Sequence, residues 1–131
     1  MSDLPPDLYY TVEHEWVRRT AIDRARIGIT DFAQSALGDI VFVQLPDLGA
    51  ELAVGASFGE VESTKSISDL YAPLSGEAAA VNSELDASPQ LLNSDPYGAG
   101  WLVDITVAGT DGDPTAELLD AAAYQAIVDA S

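Results

Sequence analysis

One lysine stands in this chain. The five basic residues are Arg18, Arg19, Arg24, Arg26 and Lys65, and Lys65 lies in the polar run Glu62-Ser63-Thr64-Lys65-Ser66 between two strand-forming segments. A primary amine at a tight turn among small polar neighbours is sterically open and easily acylated by a modifying enzyme. A Schiff-base lysine would instead have apolar neighbours. Composition alone favours a plain solvated charge, and Arg-over-Lys usage can reflect genome base composition; the hairpin position is what favours chemistry. His14 is the only histidine and there is no cysteine, so a cluster of imidazoles, a thiolate nucleophile and a Cys-based metal site are all excluded. A triad built on His14 alone lacks a nucleophile-elbow pattern. Glu13 and Glu15, two apart in a strand, would share a face and could serve acid–base work, but nothing marks a substrate for them. The other acids follow no EF-hand spacing, so no metal site is expected. Trp16 and Trp101 read as core or cleft-wall aromatics.

The elements that must hold these groups are mainly strands. Residues 8–12, 16–18 and 25–29 read as short strands, and Asp31 is placed to cap a helix through Leu37, with Gln34 at the capping-box position and Gly38 as its stop. Ile40-Val41-Phe42-Val43 is a continuous apolar run that suits a buried strand. After Gly55, residues 57–61 and 67–71 flank the polar segment 62–66 as a hairpin with Lys65 at its tip. Residues 76–81 and 101–107 read as further strands, separated by a polar, helix-prone stretch at 82–88 and the turn-rich run 93–100. Asp113-Pro114 reads as an N-cap and first helical residue, and the Ala- and Leu-rich sequence at 115–130 favours helix, broken in two at Asp120.

At 131 residues, 47% hydrophobic and 21% charged, the chain can bury a core as one domain over 1–131, with a core at about 8–110 and a C-terminal helical segment at about 113–130. A net charge of −17 repels phosphate backbones, so nucleic acid and anionic membranes are excluded as partners. It also disfavours self-association, so a monomer is expected. The start Met1-Ser2-Asp3-Leu4-Pro5-Pro6-Asp7 lacks the basic and apolar regions of a secretory signal, which makes a cytoplasmic location the expectation.

The run Gly59-Glu60-Val61-Glu62-Ser63-Thr64-Lys65-Ser66, followed by Ser68-Asp69-Leu70-Tyr71-Ala72-Pro73-Leu74-Ser75-Gly76, resembles the lipoyl-attachment segment of the glycine cleavage system H-protein family. His14-Glu15-Trp16-Val17, Gly28-Ile29-Thr30-Asp31, Ala36-Leu37-Gly38-Asp39-Ile40-Val41-Phe42-Val43 and Asn93-Ser94-Asp95-Pro96-Tyr97-Gly98-Ala99-Gly100-Trp101-Leu102 match it in order and spacing. Several separated motifs in order are far more specific than one lysine hairpin, which lipoyl and biotinyl domains share.

The resemblance implies a mainly β, lipoyl-domain-like fold: a flattened barrel-sandwich of two small antiparallel sheets with short peripheral and C-terminal helices. It implies lipoate bound covalently to Lys65, on a carrier that is not itself an enzyme. The implied partners are glycine decarboxylase (P protein, pyridoxal-phosphate dependent), the tetrahydrofolate-dependent aminomethyltransferase (T protein), dihydrolipoyl dehydrogenase (L protein) and the lipoylating enzymes. The arm would take the aminomethyl group of glycine from the first to the second, and its dithiol to the third. In the family the loaded arm folds into a surface cleft, and Glu15 and Asp69 are the matching positions for pairing with its ammonium. Glu13, where some members carry Ser, is a third acidic candidate.

Three other readings stand beside this one, the first of them another lipoyl or biotinyl carrier. A biotin carrier would have Met flanking the lysine, and a lipoyl domain of a 2-oxoacid dehydrogenase would have a linker and further domain. An unmodified acidic interaction module of the same fold needs no group on Lys65. A small acid–base enzyme would use Glu13 and Glu15.

Overall fold

A computed structural model of the chain describes residues 4–107 and 118–130. Nine strands and four helices are formed among the described residues: β1 Tyr9–Tyr10, β2 Glu15–Ala21, β3 Arg24–Ile29, α1 Asp31–Leu37, β4 Ile40–Gln44, β5 Glu51–Leu52, β6 Ser57–Ser63, β7 Ile67–Tyr71, β8 Gly76–Val81, α2 Glu84–Ala87, α3 Leu91–Ser94, β9 Val103–Val107 and α4 Ala121–Asp129. The strands make a six-stranded antiparallel sheet in the order β1-β2-β3-β9-β8-β5 and a three-stranded one in the order β4-β6-β7.

Alternation along each strand builds the core between the sheets. Val17, Ile27, Val103 and Ile105 of the larger sheet pack with Val43, Val61 and Leu70 of the smaller, and Leu74, Leu85, Leu92 and Leu102 complete the cluster. Each such side chain contributes roughly 1.5–3 kcal/mol on leaving water. A second cluster joins Leu8, Tyr10 and Trp16 to Tyr124 of α4, with the Tyr10 and Tyr124 rings stacked at 4.8 Å. Gly28 lies under the Trp16 ring, where a Cβ would collide with the indole. No helix among the described residues is long and apolar enough to cross a membrane.

Several sequence expectations need correction. Ile40-Val41-Phe42-Val43 is not a buried strand: Ile40 and Val43 face inward, while Val41 and Phe42 are exposed. The register of β4 against β6 shifts between Ile40 and Phe42, so two successive residues turn outward on an edge strand. Thr30, not Asp31, caps α1, its hydroxyl accepting from Ala33 N–H. Gln34 therefore sits one place beyond a capping box and instead donates to the Asp31 carboxylate. Gly38 closes the helix at φ +85°, as expected. The strand at 8–12 shortens to Tyr9–Tyr10, and β5 and α3 come from stretches read as loop. Asp113-Pro114 and the first part of the C-terminal helix lie outside the described residues. Leu119 is extended and bridges to Tyr10, and Asp120 then caps α4 through Ala123 N–H.

Candidate functional site

The β6–β7 hairpin is closed tightly around Lys65. Ser63, buried at the end of β6, accepts on its hydroxyl from the backbone N–H of Lys65 and of Ser66, both at 3.1 Å, and donates to Ser66 O. The Ser63 N–H also donates to Ser66 O at 2.8 Å. The tip is docked on the loop between α1 and β4, where Thr64 N–H donates to Asp39 O at 3.0 Å. That loop is held in turn by Asn93, which accepts from Ile40 N–H and donates to Gly38 O. The Lys65 stem runs over Gly38: a Cβ there would meet Lys65 Cε at 2.9 Å, and the positive φ already excludes most side chains. Lys65 is exposed, and among the described residues its ammonium has no ion-pair or hydrogen-bond partner.

From this tip β7 runs to a cleft. Ile67, Asp69 and Tyr71 alternate onto the outer face, and at ~3.3 Å per residue the strand spans about 13 Å. Tyr71 lines a cleft of about 260 Å³ whose walls include Tyr10, Val12, Glu13, Glu15 and Val54. Glu15 is fully buried there. One carboxyl oxygen accepts from Tyr71 N–H at 2.8 Å, and the other, Oε1, is buried with no hydrogen-bond partner. Burial pushes its pKa up to about 8, against the Tyr71 hydrogen bond, with the Glu13 charge adding to the rise.

Glu13 and Glu15 both line the cleft, but not as neighbours on a strand face. Only Glu15 belongs to β2, and His14 between them adopts φ 67°. This left-handed residue turns its ring away to Phe32 and to α4, where Nδ1 lies 2.7 Å from the Tyr124 hydroxyl. Tyr124 also bonds Thr30 Oγ1 at 2.8 Å, so α4, α1 and the start of β2 meet at one hydroxyl. Burial lowers the His14 pKa, against the raising effect of Glu13. Asp69 is exposed on β7, opposite Glu60, and does not line the cleft; it borders the route between Lys65 and Tyr71. Sequence reading missed Ser63 as the tip's anchor, although a Ser beside a turn is a signal for such bonding. It also missed Asn93, for which no local signal exists, since its partners lie more than fifty residues away in the chain.

A two-sheet β domain that presents a bare lysine on a braced hairpin, with an acid-lined cleft along the same strand, has the features of a swinging-arm carrier. The glycine cleavage H-protein family model matches residues 8–131. The chain belongs to the glycine cleavage H-protein family, whose role is that of the lipoyl carrier of glycine cleavage. It is 67% identical over 127 residues to the glycine cleavage system H protein of Mycobacterium avium, covering 95% of this chain and 96% of that one. It is 64% identical over 129 residues to that of Mycolicibacterium smegmatis, covering 98% of each. The crystal structure of a glycine cleavage system H protein from Mycobacterium marinum superposes with a TM-score of 0.86 at 43% identity, over 96% of this chain and 99% of that one. The fold is accordingly lipoyl-domain-like, with two antiparallel sheets that do not close into a barrel.

Proposed function

We propose that Lys65 carries lipoate in amide linkage, that the chain acts as a carrier rather than a catalyst, and that the cleft at Glu15 is the berth of the loaded arm. The residues present fit such a group. Lys65 offers an unpaired amine on a braced turn, and the cleft pairs apolar walls with an orphaned, buried carboxyl oxygen. The lipoyl group supplies redox-active sulfur able to hold a one-carbon amine. The chain's own residues do the rest. Ser63 and Gly38 fix where the arm starts, Asp69 lines its route with negative charge, and Val12, Val54 and Tyr71 keep water from its end. Glu15 Oε1 is the acceptor for an ammonium, and Glu13 adds charge at the same rim. The partners are the pyridoxal-phosphate decarboxylase, the tetrahydrofolate-dependent aminomethyltransferase and the flavin dehydrogenase, each met in turn by a monomer.

The bare Lys65 amine on a hairpin pinned from both sides carries this reading. Peptide mass spectrometry of protein from a lipoylating host tests it. A lipoyl group on Lys65, absent in a folded Lys65→Arg variant that no longer supports glycine cleavage, is the expected result. A bare Lys65 in that host, or full function in the variant, replaces the carrier with an acidic interaction module.

A further inference from the structure

Toward the Lys65 turn the outer face of the three-stranded sheet is exposed, at Phe42, Gln44, Glu62, Ile67 and Asp69. Register places Phe42 of β4, Glu62 of β6 and Ile67 of β7 side by side in one row, the first outward row below the Lys65 turn. Phe42 is 53% exposed and Ile67 63%. Directly opposed residues have Cβ atoms about 5 Å apart, so the two apolar side chains flank one carboxylate in a single patch. The next row, Gln44, Glu60 and Asp69, adds two more acids. A large aromatic and a branched aliphatic left in water within an acidic field is the pattern of a buried anchor with a charged rim, seen before its partner arrives.

Resting on the reading of Lys65 as an acylated lysine, we propose that this row is the docking site of the enzyme that acylates it, an acyl transferase whose surface offers an apolar recess for Phe42 and Ile67 rimmed by basic side chains. Reach selects that partner over the others. Acylation joins Nζ itself to the acyl carbon: the free amine attacks the carbonyl of an acyl adenylate, the C–N bond forms as the C–O bond to phosphate breaks, adenylate leaves with the electron pair, and the nitrogen's proton passes to solvent. The acylating enzyme must therefore close on the tip itself, and Phe42, Glu62 and Ile67 form the first outward row below it. Enzymes that work on the far end of the arm act where that end lies, in the cleft at Tyr71 or beyond the tip, and are not tied to this row. The three acids of the two rows demand a positive partner.

Initial rates of acylation by a purified lipoate–protein ligase, with ATP and lipoate and read by intact mass, test this on the full chain. Phe42→Thr and Ile67→Thr keep β-forming side chains at exposed edge positions. The double variant is expected to show a KM raised at least about tenfold with kcat little changed, because anchors at an interface centre act on binding. Ile22→Thr, at a position 90% exposed in the β2–β3 turn, is expected to match wild type. Should the double variant unfold in urea melts, Ile67→Thr alone carries the same expectation, a raised KM at unchanged kcat. Wild-type kcat/KM in the folded variants, or an equal loss in Ile22→Thr, overturns the docking site while leaving the carrier intact. A wild-type chain that the ligase does not modify at Lys65 removes the carrier reading and this one with it.

Discussion

A carboxyl group with one oxygen satisfied and one orphaned is stable only while it is neutral or while a cation is at hand. Glu15 is in that position, with Tyr71 N–H on one oxygen and nothing on Oε1. Its pKa of about 8 means that the unmodified protein holds a carboxylic acid there at neutral pH. The unfolded chain releases this proton near the ordinary Glu value, so between about pH 4.5 and about 8 the native state binds the extra proton. Stability from this group is full below that window and falls as pH rises through it, by up to about 1.4 kcal/mol per pH unit. Glu15→Gln, neutral at every pH, removes the dependence. Urea melts of the unmodified protein should find the variant near wild type at about pH 5 and progressively more stable than it toward about pH 8. Parallel curves for the two proteins across that range would mean that Glu15 is ionised in the unmodified protein. The residue types at this site were legible in the sequence, but its electrostatics were not. Burial of Glu15 depends on the left-handed His14 and on Tyr71 arriving from another sheet, neither of which a local motif encodes.

At the scale of elements, the hairpin is the part that sequence reads best, since polar tip, flanking strands and register are all local. Edge strand β4 is read worst, because a register shift between Ile40 and Phe42 has no signature in an unbroken apolar run. What braces the hairpin was only half visible. Ser63 is local, whereas the Asp39 and Asn93 contacts join segments far apart in the chain. Ser63 supplies the acceptor for two tip N–H groups, so Ser63→Ala strands both and costs about 1–2 kcal/mol. Much of that cost falls on the turn itself, which can open without the rest of the sheet. Hydrogen exchange at the Lys65 and Ser66 amides is expected to quicken at least about tenfold, with core amides of β6 shifting less, and acylation of Lys65 is expected to slow. Unchanged protection at both amides would assign the tip's order to the backbone bonds the variant keeps, Ser63 N–H to Ser66 O and Thr64 N–H to Asp39 O.

The whole molecule keeps its arginines on one sheet and its lysine on the other. All four arginines lie on β2 and β3 of the larger sheet, where Arg18 stacks over Trp16, and Arg26 stacks over Trp101 and pairs with Asp104 at 2.8 Å. The smaller sheet carries Glu60, Glu62 and Asp69, with Lys65 as its one cation. Acylation removes that cation and takes the formal charge from −17 to −18. The arm thus projects from a sheet whose strands carry only acidic charges, on a chain of high net negative charge, which steers it toward electropositive enzymes and raises encounter rates more than affinities. Salt screens such a field over about 10 Å at 0.1 M. For the lipoylated protein, kcat/KM with the flavin dehydrogenase is therefore expected to fall several-fold, up to about tenfold, as NaCl rises from about 20 to 200 mM, chiefly through the association rate. Free lipoamide, which has no such field, should lose little over the same range. If both substrates respond alike, the salt acts on the enzyme, and the uneven charge of this chain serves solubility rather than delivery.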